Sequence, residues 1–161
     1  MTPAQLAVLA EGLRASVVPE VIAALQIRND MALAAWCNSP STFIVWRNQV
    51  HQDEIMQNGF DWVRVDNLSV GKARIWEWMF ANTERTINPS KPNVRAGIDE
   101  CWKGTAADLA VRAAVYVHCK RAATHAERMF ATGTGTDAQP GSLVYDGLVA
   151  LNDVSVALNS Y

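Results

Sequence analysis

Residues 105–131 read TAADLAVRAAVYVHCKRAATHAERMFA, and this stretch decides the predicted fold. Thr105, with Asp108 three residues later, fits a capping box and predicts a helix start. Apolar and alanine-rich positions then recur at helical spacing as far as Ala131. A single helix over this stretch would be about 39 Å long, which is long for a domain of this size, and its alanine-rich face suits close helix packing.

Shorter helices are predicted on the N-terminal side of this stretch. Thr2-Pro3 fits a capped helix start, and Leu6, Leu9 and Leu13 give the following helix one buried stripe. Further helices are expected after Pro19, after Asp30, from Asn67 or Ser69 to about Ala81, and from Pro92 to Trp102. The predicted fold class is therefore mainly α, a helical bundle with one long helix, followed by a C-terminal β-hairpin arm and a short terminal helix.

The middle of the chain gives a weaker signal. Residues 42–46 contain β-type side chains without alternation, so a short strand and a helical turn both remain open. His51–Gln57 predicts a short helix closed by Asn58-Gly59. Phe60–Val65 alternates only in part, and we expect it to be extended or irregular.

The predicted arm begins where the long helix ends. Gly133 can end that helix, and the small polar residues up to Asp137 predict a flexible linker. Leu143–Ala150 holds two β-type runs around Asp146-Gly147, a pattern typical of a hairpin. A short helix is expected from Val154 to Leu158.

These features divide the chain into a helical body over residues 1–131 and an arm over residues 132–161, made of linker, hairpin and short helix. An isolated hairpin is marginally stable in water. The arm must therefore pack on the body or on a neighbouring chain.

Composition limits the class of protein. The chain has 161 residues, of which 50% are hydrophobic and 19% are charged, so it is long enough for a folded core and is not disordered. A formal net charge of −2 argues against a dedicated nucleic-acid binder or a polybasic membrane binder. No apolar run is long enough to span a membrane, and no signal peptide is expected. Three cysteines without CxxC spacing are expected to be reduced, buried thiols.

Six tryptophans exceed what one small core holds comfortably, and tryptophan is enriched at protein interfaces. On the predicted helix, Trp76 and Trp78 lie about 200° apart, so one buried stripe cannot hold both. This helix is either surrounded by its own domain or covered on one side by another subunit, and both alternatives remain open. The candidate subunit or partner interface consists of Trp76, Trp78, Leu143, Val144, Tyr145, Leu148 and Val149.

No motif for chemistry stands out. His118 and His125 are seven positions apart on the predicted helix, whereas histidines that chelate one metal on a helix are four apart. The sequence also lacks a nucleophile-elbow motif and a phosphate loop in the required strand-to-helix context. We therefore predict a protein that is not an enzyme, with no metal site and no cofactor.

Basic residues near the end of the predicted long helix form a second candidate surface. Residues 91–128 carry a formal charge of +3, and residues 132–161 carry −3. Three interpretations remain open: a solvated face, a face that meets the acidic arm of the next subunit in a ring, and a face that contacts DNA phosphates in a ring lumen. This candidate basic face consists of Lys120, Arg121, His125 and Arg128.

Five short segments carry a likeness to known proteins. They are Met1–Leu6 (MTPAQL), Ile87–Arg95 (INPSKPNVR), Lys120–Asp137 (KRAATHAERMFATGTGTD), Val144–Gly147 (VYDG) and Asn152–Val154 (NDV). These segments resemble a family of small virion structural proteins of tailed bacteriophages, and the resemblance covers most of the chain. His125 stands where we would expect arginine in this family, which makes the candidate basic face less basic.

The resemblance implies a virion component made in the host cytoplasm, with no catalytic motif to carry over. With the predicted arm, it leads us to expect a homo-oligomeric head–tail adaptor, or neck, ring protein. Its expected partners are further copies of itself, the portal, and tail or neck proteins, with DNA in the lumen as a possible contact and no membrane. The alternatives are a non-virion assembly factor or chaperone, and a weak nucleic-acid-binding protein.

Overall fold

The computed structural model describes residues 1–57 and 60–161 of the chain. The described residues form ten helices and four strands. In chain order they are α1 (Pro3–Arg14), α2 (Pro19–Gln26), α3 (Asp30–Asn38), β1 (Pro40–Trp46), β2 (Val50–His51), α4 (Gln52–Ile55), α5 (Trp62–Asp66), α6 (Val70–Met79), β3 (Thr86–Ile87), α7 (Pro92–Cys101), α8 (Ala106–His118), β4 (Lys120–Thr124), α9 (His125–Phe130) and α10 (Leu151–Ser160).

The chain folds into two compact units. Unit 1 consists of Met1–Val45 and Ala122–Tyr161, and unit 2 consists of Trp46–Arg121. The chain therefore leaves unit 1 within β1 and returns to it within β4. These boundaries differ from the predicted division at residues 131 and 132, because the residues of the expected arm belong to the same unit as the N-terminal helices.

The core of unit 1 combines helices from both ends of the chain. α1 begins where the sequence predicts: Thr2 Oγ1 accepts a hydrogen bond from Gln5 N at 3.3 Å, and Gln5 Oε1 accepts one from Thr2 N at 2.8 Å. This capping box satisfies backbone N–H groups at the helix start. The fully buried residues of this core are Leu9, Ala10, Leu13, Leu33, Cys37, Ala126, Val154 and Ala157.

α10 is a core element of unit 1. Val154 is fully buried in the same cluster as Leu9 and Leu13. At the C-terminal end of the helix, Arg14 Nη2 donates a hydrogen bond to Leu158 O at 3.2 Å. Near its start, the N-terminal ammonium of Met1 lies 3.2 Å from Asp153 Oδ1. The C-terminal helix is therefore fixed to α1 and is not tethered through a linker.

The core of unit 2 is an aromatic cluster. Trp76 and Trp102 pack edge to face, with ring centroids 5.5 Å apart and an interplanar angle of 81°. Phe80 packs on Trp76 at 5.1 Å, and Phe60 packs on Trp102 at 5.9 Å. Such edge-to-face pairs contribute about 0.5–1.5 kcal/mol each beyond the area they bury. Aliphatic residues complete this core, among them Val50, Ile55, Ile98, Val111 and Val115.

Two small sheets make the fold a mixture of α and β structure. β2 pairs antiparallel with β3. β1 pairs with β4. This pair is antiparallel, as the hydrogen bonds at its two ends show: Arg47 N donates to Cys119 O (2.9 Å), and His125 N donates to Ser39 O (3.0 Å). The predicted class, a helical bundle with one long helix, is therefore wrong.

The predicted long helix is broken in its middle. α8 ends at His118, β4 follows, and α9 begins at His125. A second capping box starts α9: Thr124 Oγ1 accepts from Glu127 N at 3.1 Å, and Glu127 Oε2 accepts from Thr124 N at 2.8 Å. Pairing with β1 and this capping box together replace the backbone hydrogen bonds of a continuous helix.

The predicted C-terminal β-hairpin is also wrong, since Leu143–Ala150 forms no strand. The Asn38 side chain takes the place of a partner strand: Nδ2 donates to Val149 O at 2.9 Å, and Oδ1 accepts from Val149 N at 2.8 Å. The Tyr145 hydroxyl donates to Leu148 O at 2.8 Å. These side chains satisfy backbone groups that a hairpin would otherwise pair.

The expected flexible linker has fixed hydrogen-bond partners in β1. Ile44 N donates to Gly135 O at 2.7 Å, and Gly141 N donates to Ile44 O at 2.8 Å. Gly135 has a φ of 67°, and a Cβ at this position would overlap the Phe43 ring. Glycine is required at this position because the backbone is left-handed and the aromatic ring lies directly against it.

The middle of the chain differs in part from expectation. Residues 42–46 belong to strand β1, which is one of the two open alternatives. The short helix expected over His51–Gln57 is α4, and its expected end at Asn58-Gly59 lies outside the described residues. Trp62–Asp66, expected to be extended or irregular, forms α5, which Asp61 caps by accepting a hydrogen bond from Val63 N at 3.1 Å.

We expect Val154→Ala to lower the free energy of unfolding by about 2 kcal/mol, because it removes buried methyl groups and leaves a cavity in the core. Chemical denaturation followed by circular dichroism measures the change. The matched control is Val144→Ala, which truncates a side chain that is 70% exposed and should cost less than about 0.5 kcal/mol. Equal effects of the two variants would contradict the core position of α10.

Candidate interaction surface

The structure divides the six tryptophans into three pairs. Trp76 and Trp102 are buried, Trp36 and Trp46 are half-buried, and Trp62 and Trp78 are exposed. The half-buried pair has partners for its rings: Trp36 stacks on His125 with centroids 4.2 Å apart, and the Arg95 guanidinium lies 4.8 Å from the Trp46 ring centroid. The exposed pair is the informative one, because a large aromatic ring left in water marks a candidate contact surface.

Trp78 lines an apolar groove of unit 2. The side chain is 69% exposed, and the groove has a volume of about 320 Å³. Its lining residues are Ile75, Trp78, Met79, Asn93, Val94 and Gly97, all of them uncharged. Since α6 and α7 supply all six, we name this surface the Trp78 groove.

The geometry of α6 explains why Trp78 is exposed. Trp76 enters the aromatic core of unit 2 and is only 3% exposed. Trp78 lies about 200° further round the helix, so it must point away from that core. The structure thus agrees with the prediction that one stripe cannot bury both rings.

Gly97 shapes the floor of the groove. A Cβ at this position would lie 3.1 Å from Met79 Sδ, which is closer than an ordinary van der Waals contact. The absence of a side chain therefore lets Met79 pack against α7.

Charged side chains of both signs lie close to Trp78 along the sequence. The Arg74 guanidinium lies 6.0 Å from the Trp78 ring centroid, at the outer limit of a cation–π contact. Lys91 is exposed just before α7, two residues from Asn93. Glu77 is the acidic residue of α6 and is also exposed.

The other predicted interface residues lie in unit 1 and differ in exposure. Val144 is 70% exposed and Leu148 is 75% exposed, whereas Val149 is buried. Leu143 and Tyr145 are half-buried, and the Tyr145 ring packs on Phe130 with centroids 5.2 Å apart. Of the predicted set, Trp78, Val144 and Leu148 are therefore available to a partner, whereas Trp76 and Val149 belong to the cores.

The predicted basic face does not form one helical stripe. Lys120 and Arg121 belong to β4 in unit 2, and His125 and Arg128 belong to α9 in unit 1. The spacing of four and seven positions has meaning only on a continuous helix. Because the helix is broken after His118, these four side chains do not lie on one face of a single helix.

His125 instead lies in a second groove, formed within unit 1. This groove has a volume of about 330 Å³ and also contains Trp36 and Arg128. Burial lowers the pKa of His125 below its ordinary value, the Arg128 guanidinium lowers it further, and the carboxylate of Glu20 acts in the opposite direction. The ring that stacks on Trp36 is therefore neutral near pH 7.

The three cysteines are free and buried. Burial raises the pKa of Cys37 to about 12, that of Cys101 to about 11 and that of Cys119 to about 12. Protonated, buried thiols are poor nucleophiles. In the part of the chain that the structure describes, no group of three or more His, Cys, Asp or Glu side chains is arranged to hold a metal ion. Among the same residues, no helix combines the length and the apolar character that crossing a bilayer requires.

Sequence reasoning identified Trp78 but missed the rest of its groove. The signal was present: Ile75, Trp78 and Met79 follow the i, i+3, i+4 spacing of one helix face. Val94 and Gly97 repeat the spacing of three on α7. What the sequence does not contain is the pairing of these two faces, which depends on the packing of α6 against α7.

Comparisons with protein-family models, with curated proteins and with solved structures find no match for this chain. The resemblance to small virion proteins of tailed phages therefore stays a prediction.

We expect the pKa of His125, measured by NMR titration, to lie below the ordinary value of 6.5. The folded protein favours the neutral imidazole. The contribution to the free energy of unfolding is therefore present above the ordinary pKa and is lost as the pH falls through the lower pKa of the folded state. Arg128→Ala should raise the pKa of His125, because it removes a neighbouring positive charge. Arg74→Ala, in unit 2, is the control. A pKa above 6.5 or one unmoved by Arg128→Ala would contradict this electrostatic account.

Proposed function

We propose that this protein is a structural component of a tailed-phage virion, a homo-oligomeric head–tail adaptor that joins the portal to tail or neck proteins. The resemblance of the five sequence segments supports the class of protein. The single observation that supports self-association is the exposed Trp78 in its apolar groove.

Trp78 leaves a large apolar area in contact with water, since its side chain is 69% exposed. A tryptophan side chain buries roughly 150–250 Å² when it is covered, and apolar area contributes about 25 cal/mol per Å². Covering the exposed part of one Trp78 would therefore contribute roughly 3 kcal/mol. A monomer gains nothing from this surface, whereas each contact in a ring would gain that amount.

The absence of a tethered arm changes how subunits would join. The expectation of an arm required residues 132–161 to leave the body and reach a neighbour. In the structure these residues belong to unit 1, and α10 is part of its core. The proposal therefore rests on contacts between preformed surfaces, with the remaining exposed apolar side chains of both units as candidates.

The location of the protein in the particle tests the proposal directly. Mass spectrometry of purified virions of the phage that encodes this chain should detect it in a fixed ratio to the portal protein. Detection in infected cells but not in virions would favour the assembly-factor alternative and end the structural proposal.

Trp78→Ala should weaken self-association at least about tenfold, because interface hot spots, in which tryptophan is enriched, cost about 2 kcal/mol or more when truncated. Sedimentation velocity measures the effect at protein concentrations up to about 1 mM. A dissociation constant of about 1 mM corresponds to a binding free energy of roughly −4 kcal/mol. The matched control is Trp62→Ala, since Trp62 is 56% exposed in the same unit but lies outside the groove. Equal behaviour of both variants would argue against the Trp78 groove as an interface.

A further inference from the structure

We infer that unit 1 carries a binding site for a small organic anion, a phosphate or carboxylate attached to an apolar body about the size of one aromatic ring. The site is the groove of about 330 Å³ that contains Trp36, His125 and Arg128, which we name the His125 groove. It lies within one unit of a single copy. The inference therefore goes beyond the proposed oligomer and does not depend on it.

The polar side chains of the His125 groove can all donate a hydrogen bond. They are those of Ser16, His125 and Arg128. Arg128 is exposed, and a guanidinium group is permanently charged and binds phosphate or carboxylate through paired N–H donors. Among the described residues that line the groove, none is acidic. This set of donors favours an anionic group over a cationic one.

These donors are not engaged elsewhere in the fold. Across the described residues, the Arg128 guanidinium forms no ion pair and the ring nitrogens of His125 form no hydrogen bond. Ser16 Oγ accepts a hydrogen bond from Val18 N at 3.3 Å, which holds the hydroxyl oxygen in place while its own proton can still be donated. A bound anion would therefore not have to displace an existing partner.

The electrostatic balance at the imidazole is positive. Arg128 and Glu20 act on His125 in opposite directions, and the effect of Arg128 is the larger of the two. Glu20 belongs to α2 and is exposed. Because the guanidinium outweighs the carboxylate at this point, an anion placed beside the imidazole would be attracted.

The rest of the groove is apolar. Val17 is 85% exposed, and Trp36 and Met129 are half-buried. Sites for small ligands have volumes of about 300–1,000 Å³ and combine apolar walls with a few polar groups. An apolar body beside the anionic group would cover Val17 and the exposed part of Trp36, which removes apolar area from water.

The fold positions these groups before any ligand binds. His125 N donates to Ser39 O at 3.0 Å, and the His125 ring stacks on Trp36 with centroids 4.2 Å apart and an interplanar angle of 18°. Arg128 follows three positions later on the same face of α9. A preorganised site loses less conformational entropy on binding than a mobile one.

NMR titration with phenyl phosphate tests the site. The signals of the Trp36 indole, the His125 imidazole and the Arg128 backbone should follow one binding curve, with a dissociation constant of at most about 1 mM. Benzoate is the carboxylate arm, and the anion that binds more tightly identifies the preferred group. Benzylamine carries a similar ring with a positive charge and should leave these signals unchanged. No response to either anion up to about 10 mM, or an equal response to benzylamine, would overturn the inference.

Arg128→Ala should weaken binding of phenyl phosphate at least about fivefold, because it removes a charged hydrogen-bond donor. The matched control is Arg28→Ala, which makes the same change in net charge within unit 1. The Arg28 side chain is 47% exposed and lies outside the groove. Equal losses in the two variants would indicate attraction to net charge alone and overturn the site. Circular dichroism of each variant checks that it is folded.

Val17→Ala separates the apolar part of the site from the anionic part. This variant should weaken phenyl phosphate about two- to fourfold and leave the affinity for inorganic phosphate unchanged, since only the ring would contact Val17. Equal losses for both probes, or no loss for phenyl phosphate, would overturn the assignment of the apolar body to this side of the groove.

Discussion

One side-chain amide fixes the C-terminal part of unit 1. Asn38 ends α3, and its amide satisfies both the N–H and the C=O of Val149. Leaving such groups unpaired away from water costs about 1–3 kcal/mol, so this contact determines the register of the chain at that point. Immediately after Val149 the chain enters α10, which packs in the core. Immediately before it, Val144 and Leu148 remain at the surface. The buried helix and the exposed segment that precedes it both follow from this contact.

Local sequence patterns predicted helix starts where a cap and an apolar stripe coincide, as at Thr2-Pro3. They failed over residues 105–131, because Lys120–Thr124 contains lysine, arginine and alanine, which have little preference for strands. This segment is a strand because β1 pairs with it. The Ser41 hydroxyl adds a hydrogen bond to Ala123 O across 82 positions of sequence. The Thr124–Glu127 capping box was a visible sign of a second helix start within the stretch.

The candidate site was predictable only in part, for a related reason. The spacing of Trp76 and Trp78 shows that one ring must leave the core, but α6 is apolar on both sides, so the sequence does not say which. The Asp146-Gly147 pair is typical of a hairpin, yet a partner for Val149 is supplied by Asn38 from 111 positions away. Single residues were therefore identified, whereas the surfaces they form depend on packing between distant segments.

A subunit contact through the Trp78 groove, as proposed, would have a consequence for assembly. The roughly 3 kcal/mol gained by covering one Trp78 is offset by the translational and rotational freedom lost on association, so one such contact would be weak by itself. In a closed ring each subunit makes two contacts, and the last one forms within an already connected assembly, at a much higher effective concentration. Free subunits would then stay largely apart in dilute solution, and rings would form where a template such as a portal holds several subunits together. Under the proposed function, a weak contact of this kind would therefore confine assembly to a template better than a strong one would.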